Sequence, residues 1–353
     1  MDERDAAQRG INWADQVEAL SSESASEAAA VIIAAASRPN LGATLLGTEV
    51  DGSIPFSSIQ FPHYRAQRDI VDFLQTFALH RLQRGDPEGF VTLIRAIVQV
   101  ASLAEQPSLS VGQLVRISCL FQAYNAVSWA LVQEQDKMRD VDLQQIDEAL
   151  AGEIHFNGTT ECWYFEDIIR RTIGNSNTPD HRPVSQLDDS LRNALEIVQQ
   201  IGLEVQAAAE SPVVGAVDRI GQLRSELEAI QTADMRATRS KYSFSWAEVA
   251  QSFREYRMRT SAARLAIAAH RHRLRNGTFP NSIDAIDQDF LLTEPWDLFT
   301  GERLIYRLTP DGPLIYSKGP DLDDDGGRHS NDCRRLSPTI DADWVLFPDP
   351  AIP

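Results

Sequence analysis

Ile315-Tyr-Ser-Lys-Gly-Pro-Asp-Leu-Asp-Asp-Asp-Gly-Gly327 joins a short β-prone run to an acidic loop. The break comes at Gly319-Pro320, and four aspartates then fall within five positions before two glycines close the stretch. Asp321, Asp323, Asp325 and Gly326 spell D-x-D-x-D-G. Carboxylates at alternate positions of a tight loop can converge on one point, and glycine permits the turn that wraps them around a hard cation. Without a cation, so much negative charge in one loop repels itself. The plainer alternative is a solvated acidic turn. An EF-hand count takes Asp321 as position 1, puts Asp323 and Asp325 at positions 3 and 5, Gly326 at 6 and Asp332 at 12. That motif needs a helix on each side, whereas Leu314-Ile-Tyr-Ser317 reads as strand, so no EF-hand is expected.

Upstream of this stretch the patterns are helical. Arg65–Gln83 places Ile70, Phe73, Leu74, Phe77 and Ala78 on one face, and Gly85-Asp86-Pro87 stops that helix and starts the next. An αα-hairpin is therefore predicted over 65–104. Further helices are predicted from Ser110 to about Gln135, over Asp142–Leu150, Leu187–Ala209 and Val214–Ala233, and from Ser245 to Arg275, stopped by Asn276-Gly277. Near the N-terminus, Trp13–Leu20 and the alanine-rich Ser22–Ser37 read as helix; 152–183 is rich in turn residues around Cys162-Trp-Tyr-Phe165, with a helix through Ile173. A short helix carries Ile283 and Ile286. Leu304–Leu308 and Pro313–Ser317 form a hairpin around Pro310-Asp-Gly312, with Asp343–Phe347 as a third strand. The fold class expected is mainly α: a helical domain of antiparallel helix pairs over 1–240, then a long helix and small α+β domain with a short antiparallel sheet over 241–353.

Composition bounds the function. The chain has 353 residues, 43% hydrophobic and 24% charged, enough for a real core. Its net charge of −18 argues against binding a nucleic-acid backbone or an anionic membrane surface. The longest apolar run near the N-terminus, Ala28–Ala36, is about half the ~18 residues a membrane span needs, and Met1-Asp-Glu-Arg-Asp5 is not the start of a signal peptide. Cys119 reads as a core residue; whether Cys162 and Cys333 pair stays open.

The catalytic case is thin. No nucleophile elbow, zinc-protease helix, phosphate loop or dinucleotide glycine motif occurs. His270 and His272, two residues apart in a helix, project from different faces and make poor joint ligands, so a solvated basic face is expected there. Glu161, Glu166 and Asp167 near His155 and His181 leave a hydrolase of unknown substrate as one alternative. A soluble helical partner-binding scaffold without metal is another.

From the long helix onward the chain resembles the globular part of the major pseudopilin of type II secretion systems. In order come Arg275-Asn-Gly-Thr-Phe-Pro280, Pro295-Trp296, Ile305-Tyr-Arg307, Tyr316-Ser-Lys-Gly-Pro-Asp321, Gly326-Gly327 and Asp341-Ala-Asp343. That resemblance implies a structural Ca2+ held by Asp321, the Lys318 carbonyl, Asp341 and Asp343. This chain departs by inserting Leu-Asp-Asp-Asp after Asp321, by a longer 328–340 segment and by Trp344 in place of Ile, so Asp323 or Asp325 can replace one of the later pair. The helical part, through Gly85-Asp-Pro87, Pro107-Ser-Leu109, Gly112-Gln-Leu-Val-Arg-Ile117 and Ala149-Leu-Ala-Gly-Glu153, is similar to bacterial envelope proteins abundant in planctomycetes, for which no activity is assigned. The membrane anchor of those proteins and the methylation motif of a true pseudopilin have no counterpart near Met1, so assembly into a filament is not expected. The implied function is a non-enzymatic, envelope-associated structural or interaction protein with unidentified protein partners.

Overall fold

The computed structural model describes residues 18–37, 63–103, 110–152, 189–210, 246–291, 293–330 and 341–350, with isolated positions 219, 222, 225 and 226. Seven helices lie in these segments: α1 (Glu23–Ala36), α2 (His63–Gln83), α3 (Pro87–Ser102), α4 (Ser110–Gln133), α5 (Asp140–Leu150), α6 (Asp189–Glu210) and α7 (Trp246–Asn276). Three strands follow: β1 (Ile305–Thr309), β2 (Gly312–Ser317) and β3 (Trp344–Phe347). The protein is mainly helical with a short antiparallel sheet, as its periodicities predict.

Local chemistry sets the boundaries. Ser22 caps α1 by accepting from the Ala25 amide at 3.2 Å. α2 ends on Gly85, whose φ of +80° suits the left-handed cap. There Asp86 N donates to Arg81 O and Gly85 N to Leu82 O. Asp86 then caps α3 through the Gly89 amide at 2.9 Å, with Pro87 at the first helical position. One short joint thus closes one helix and opens its antiparallel partner, and α2 and α3 pack together as the expected hairpin.

Two helices are central. α4 buries Ile117, Leu120, Ala123, Tyr124, Val127 and Leu131, and α7 buries Phe253, Met258, Ala262, Ala266, Ile267 and Ala269. α4 packs on α2, α3 and α7, while α7 also meets α5, α6, β2 and β3. The alanines of α7 let its neighbours approach closely, which is why so long a helix can be covered on several sides. A single apolar cluster runs from Ala29 to Phe347 and includes residues of both the helices and the sheet.

This packing corrects the expectation of a solvated basic face near the end of α7. His270 is buried, its ring edge-on to Phe279 at 5.0 Å and to Phe347 at 6.2 Å. Arg271 is buried as well and pairs with Asp140 of α5 at 2.7 Å. The short helix expected around Ile283 is a single 3₁₀ turn, Ile283–Ala285.

The sheet order is β1-β2-β3, all antiparallel. Ile305 pairs with Tyr316 and Thr309 with Gly312 across the hairpin. β2 pairs with β3 through Ile315–Phe347 and Ser317–Trp344, with a bulge between Ile315 and Tyr316. β3 is buried along its length because it lies against α7. Two contacts fasten the sheet to the helices: Tyr124 donates its hydroxyl to Leu346 O, and Arg259 pairs with Asp349. The expected boundary near residue 240, the helices at 13–17 and around 173, the helix over 214–233 apart from the four isolated positions, and the region holding Glu161, Glu166, Asp167, His155 and His181 lie outside the described residues.

Candidate metal centre

β2 delivers the chain into the acidic loop at a fixed point. Asp297, nearly fully buried, accepts from Ser317 Oγ at 2.9 Å and from the Lys318 amide at 3.1 Å through one carboxylate oxygen. Its other oxygen accepts from the Phe299 amide at 2.9 Å. Ser317 Oγ in turn receives the Gly319 amide at 3.0 Å. Burial raises the Asp297 carboxyl above the ordinary range, and these donors oppose the shift. Asp297 follows Pro295-Trp296 in the sequence, and sequence reasoning missed it. A buried carboxylate that collects backbone amides leaves no periodic signal.

Gly319 makes the next turn with φ of +74°, and a Cβ there would stand 2.8 Å from Ala342 O. The close approach brings the 341–343 segment against the start of the loop. Asp321 completes the link, its Oδ2 accepting from the Ala342 amide at 3.0 Å. Leu322 then takes φ of +69°, the one non-glycine left-handed residue among those described. That conformation costs a side chain roughly 1–2 kcal/mol.

The aspartates separate by position. One ligand oxygen from each of Asp321, Asp323, Asp325 and Asp341 lies within 4.8 Å of the others, and this cluster can hold a metal ion. Asp324 belongs to a different set of contacts. Its Oδ1 accepts from Tyr316 Oη and from the Gly326 amide, both at 2.9 Å. Burial and this carboxylate together raise the Tyr316 phenol.

Charge inside the cluster is only partly balanced. Loss of hydration, then the charges of Asp321, Asp325 and Asp341, raise the Asp323 carboxyl. Arg328 is the compensating cation. Its Nη2 lies 2.7 Å from Asp325 Oδ1, 3.1 Å from Asp341 Oδ2 and 2.7 Å from Asp341 O. Asp321 Oδ1 and Asp325 Oδ2 are nonetheless buried atoms that accept no hydrogen bond from any described residue.

Among the residues named from sequence, Asp321, Asp323, Asp325 and Asp341 are therefore brought together. Asp343 is not one of those four. It is fully buried, and its Oδ2 accepts from the Gly327 amide at 2.6 Å. Burial raises its carboxyl, the amides of Gly327 and Asp325 oppose this, and the Asp324 and Asp325 charges add to it. Its backbone amide donates to Arg328 O at 2.9 Å, so residue 343 ties down the outgoing end of the loop. Gly327 is required beside it: φ is +85°, and a Cβ would lie 2.8 Å from Leu314 Cδ2. Lys318 is anchored by its amide to Asp297 and by Nζ to Glu302 at 2.9 Å. Of the cysteines, Cys119 is buried and free, while Cys162 and Cys333 lie outside the described residues.

Fold and site together define a mainly helical protein whose small C-terminal sheet presents a loop of converging carboxylates. No protein-family model, curated protein or solved structure matches the chain. Among the described residues, no helix is long and apolar enough to cross a membrane.

Proposed function

We propose that this is a non-enzymatic, envelope-associated structural or interaction protein whose C-terminal loop is organised by a calcium ion. The observation that carries the reading is the meeting of four carboxylates in which two buried oxygens, Asp321 Oδ1 and Asp325 Oδ2, lack a described donor. A buried acceptor left without a donor costs about 1–3 kcal/mol, more when charged. A hard cation satisfies such atoms directly. The all-oxygen donor set excludes a preference for soft metals.

Ligand type favours calcium over magnesium. Calcium takes about 6–8 oxygen ligands in flexible geometry, which suits four carboxylates carried by one loop and the neighbouring 341–343 segment. Magnesium dehydrates reluctantly, demands a near-ideal octahedron and is usually held by only one or two carboxylates. Asp321, Asp323, Asp325 and Asp341 would hold the ion, which supplies only charge and coordination. Asp297, Gly319 and Asp343 hold the loop ends in place. An exposed loop already containing Arg328 suits a weak site, filled at the calcium levels of ~10⁻⁴–10⁻³ M that extracellular modules use. The pseudopilin resemblance of the C-terminal segment is what supports an envelope location.

The test is thermal unfolding of the full chain in chelator and in millimolar calcium. Calcium at about 10 times its dissociation constant adds about 1.4 kcal/mol. The melting temperature should rise with calcium and should cease to respond in Asp321→Ala. Identical melts in chelator and calcium would sink the proposal.

A further inference from the structure

We propose that the cleft between the start of α1 and the end of α2 binds a small phosphate-type dianion, either free or as a phosphomonoester. The cleft is a cavity of about 300 Å³, remote in sequence from the acidic loop. Ser21 and Ser26 stand on one wall, with His80, Arg81 and Arg84 on the other. In a chain of net charge −18, this gathering of two guanidinium groups and an imidazole is against the general trend.

The single carboxylate on the cleft is already engaged. Asp86 caps α3 through the Gly89 amide and pairs with Arg81. Arg84, by contrast, has no carboxylate partner among the described residues, and it is exposed. Basic groups at the end of α2 complement the helix dipole, and that accounts for Arg81 in the last turn and Arg84 just past it as charges. It does not account for His80.

His80 is 9% exposed and lines the cavity. Its ring stacks on Phe77 with centroids 6.4 Å apart, and Nε2 lies 3.3 Å from Ser21 Oγ. Burial, and then the charges of Arg84 and Arg81, lower its pKa. Cations placed around a buried imidazole destabilise one another until an anion enters. Serine hydroxyls, a positionally fixed imidazole and guanidinium forks are the donor types that recognise a tetrahedral oxyanion. The volume is at the lower end of ligand pockets, so the occupant is inorganic phosphate or a phosphomonoester with few further atoms.

The test is isothermal titration of the full chain, in chelator and at fixed ionic strength, with inorganic phosphate, phosphoserine and chloride as titrants. Arg84 is exposed, so Arg84→Gln should fold normally; a charged hydrogen bond lost to phosphate should weaken binding roughly tenfold or more. Saturable binding of phosphate or phosphoserine, weakened in Arg84→Gln, supports the proposal, and the stronger of the two titrants identifies the free or esterified form. Absence of binding by both, heats equal to those of chloride, or an unchanged affinity in Arg84→Gln overturns it.

Discussion

Arg328 Nη2 lies 3.1 Å from Asp341 Oδ2, and the same nitrogen reaches Asp325 Oδ1. One guanidinium therefore touches two of the four carboxylates that would surround a cation. It lowers the repulsion in the loop and at the same time competes for ligand oxygens. Arg328→Gln should accordingly bind calcium more tightly. Exposed pairs of this kind contribute little, so the gain should be roughly two- to fivefold. A calcium titration read by tryptophan fluorescence or calorimetry decides the point, and a loss of affinity would assign Arg328 to holding the loop in shape.

Asp297 predicts a different response. It touches none of the cluster directly but accepts from Ser317 Oγ and the amides of Lys318 and Phe299. Asp297→Ala leaves buried donors without an acceptor and should cost about 3 kcal/mol in urea unfolding even in chelator. Asp321→Ala should cost much less in chelator, because only the Ala342 amide loses a partner. The contrast separates residues that build the loop from residues that meet the metal.

The join between helices and sheet rests on Arg259. Its guanidinium pairs with Asp349 and Glu255 and lies 5.4 Å from the ring centres of both Phe121 and Tyr124. Truncation to Arg259→Ala removes the guanidinium that pairs with the buried Asp349 and should cost about 3–5 kcal/mol. Replacing both members, as Arg259→Met with Asp349→Leu, should recover most of that loss, since an apolar pair avoids the desolvation of two charges. Urea denaturation of the wild type, Arg259→Ala and the double variant makes the comparison. A double variant no better than Arg259→Ala would place the value of Arg259 in its ring contacts.

Much of the fold was legible because it is local. Period-3.6 stripes, the Gly85-Asp86-Pro87 joint, and the hairpin turn at Pro310-Asp-Gly312 depend on neighbours within a few residues. The convergence of Asp321, Asp323 and Asp325 also follows from alternation along a tight loop, and Asp341 came only from a resemblance. What stayed hidden depends on distance. Asp297 meets Ser317 across twenty positions, and Arg259 meets Asp349 across ninety. The part Asp343 plays in holding the loop was hidden because a carboxylate can accept amides as readily as it binds a cation. His270 looked solvated because its basic neighbours mark a surface face, yet α7 is covered by α5 on one side and by β3 on another.

That burial gives His270 a pH signature. Desolvation, with the Arg273 charge adding to it, lowers its pKa to about 3, against about 6.5 for an exposed imidazole. The folded pKa is the lower one, so the unfolded chain binds the extra proton between these values. Stability from this residue is therefore intact above pH 6.5 and is lost as pH falls toward 3, at a limit of about 1.4 kcal/mol per pH unit. Burial also lowers His63 and His80, so the wild-type acid limb contains contributions in the same direction. His270→Gln removes one of them. The variant should be less stable at pH 7.5, because Phe279 and Phe347 lose an edge-on ring. Its deficit should shrink as pH is lowered from 6.5 to 4.5, as the proton uptake of the unfolded wild-type chain no longer has a counterpart. Urea unfolding of both proteins at several pH values measures that difference, and parallel stability curves would mean that His270 becomes hydrated and charged without unfolding.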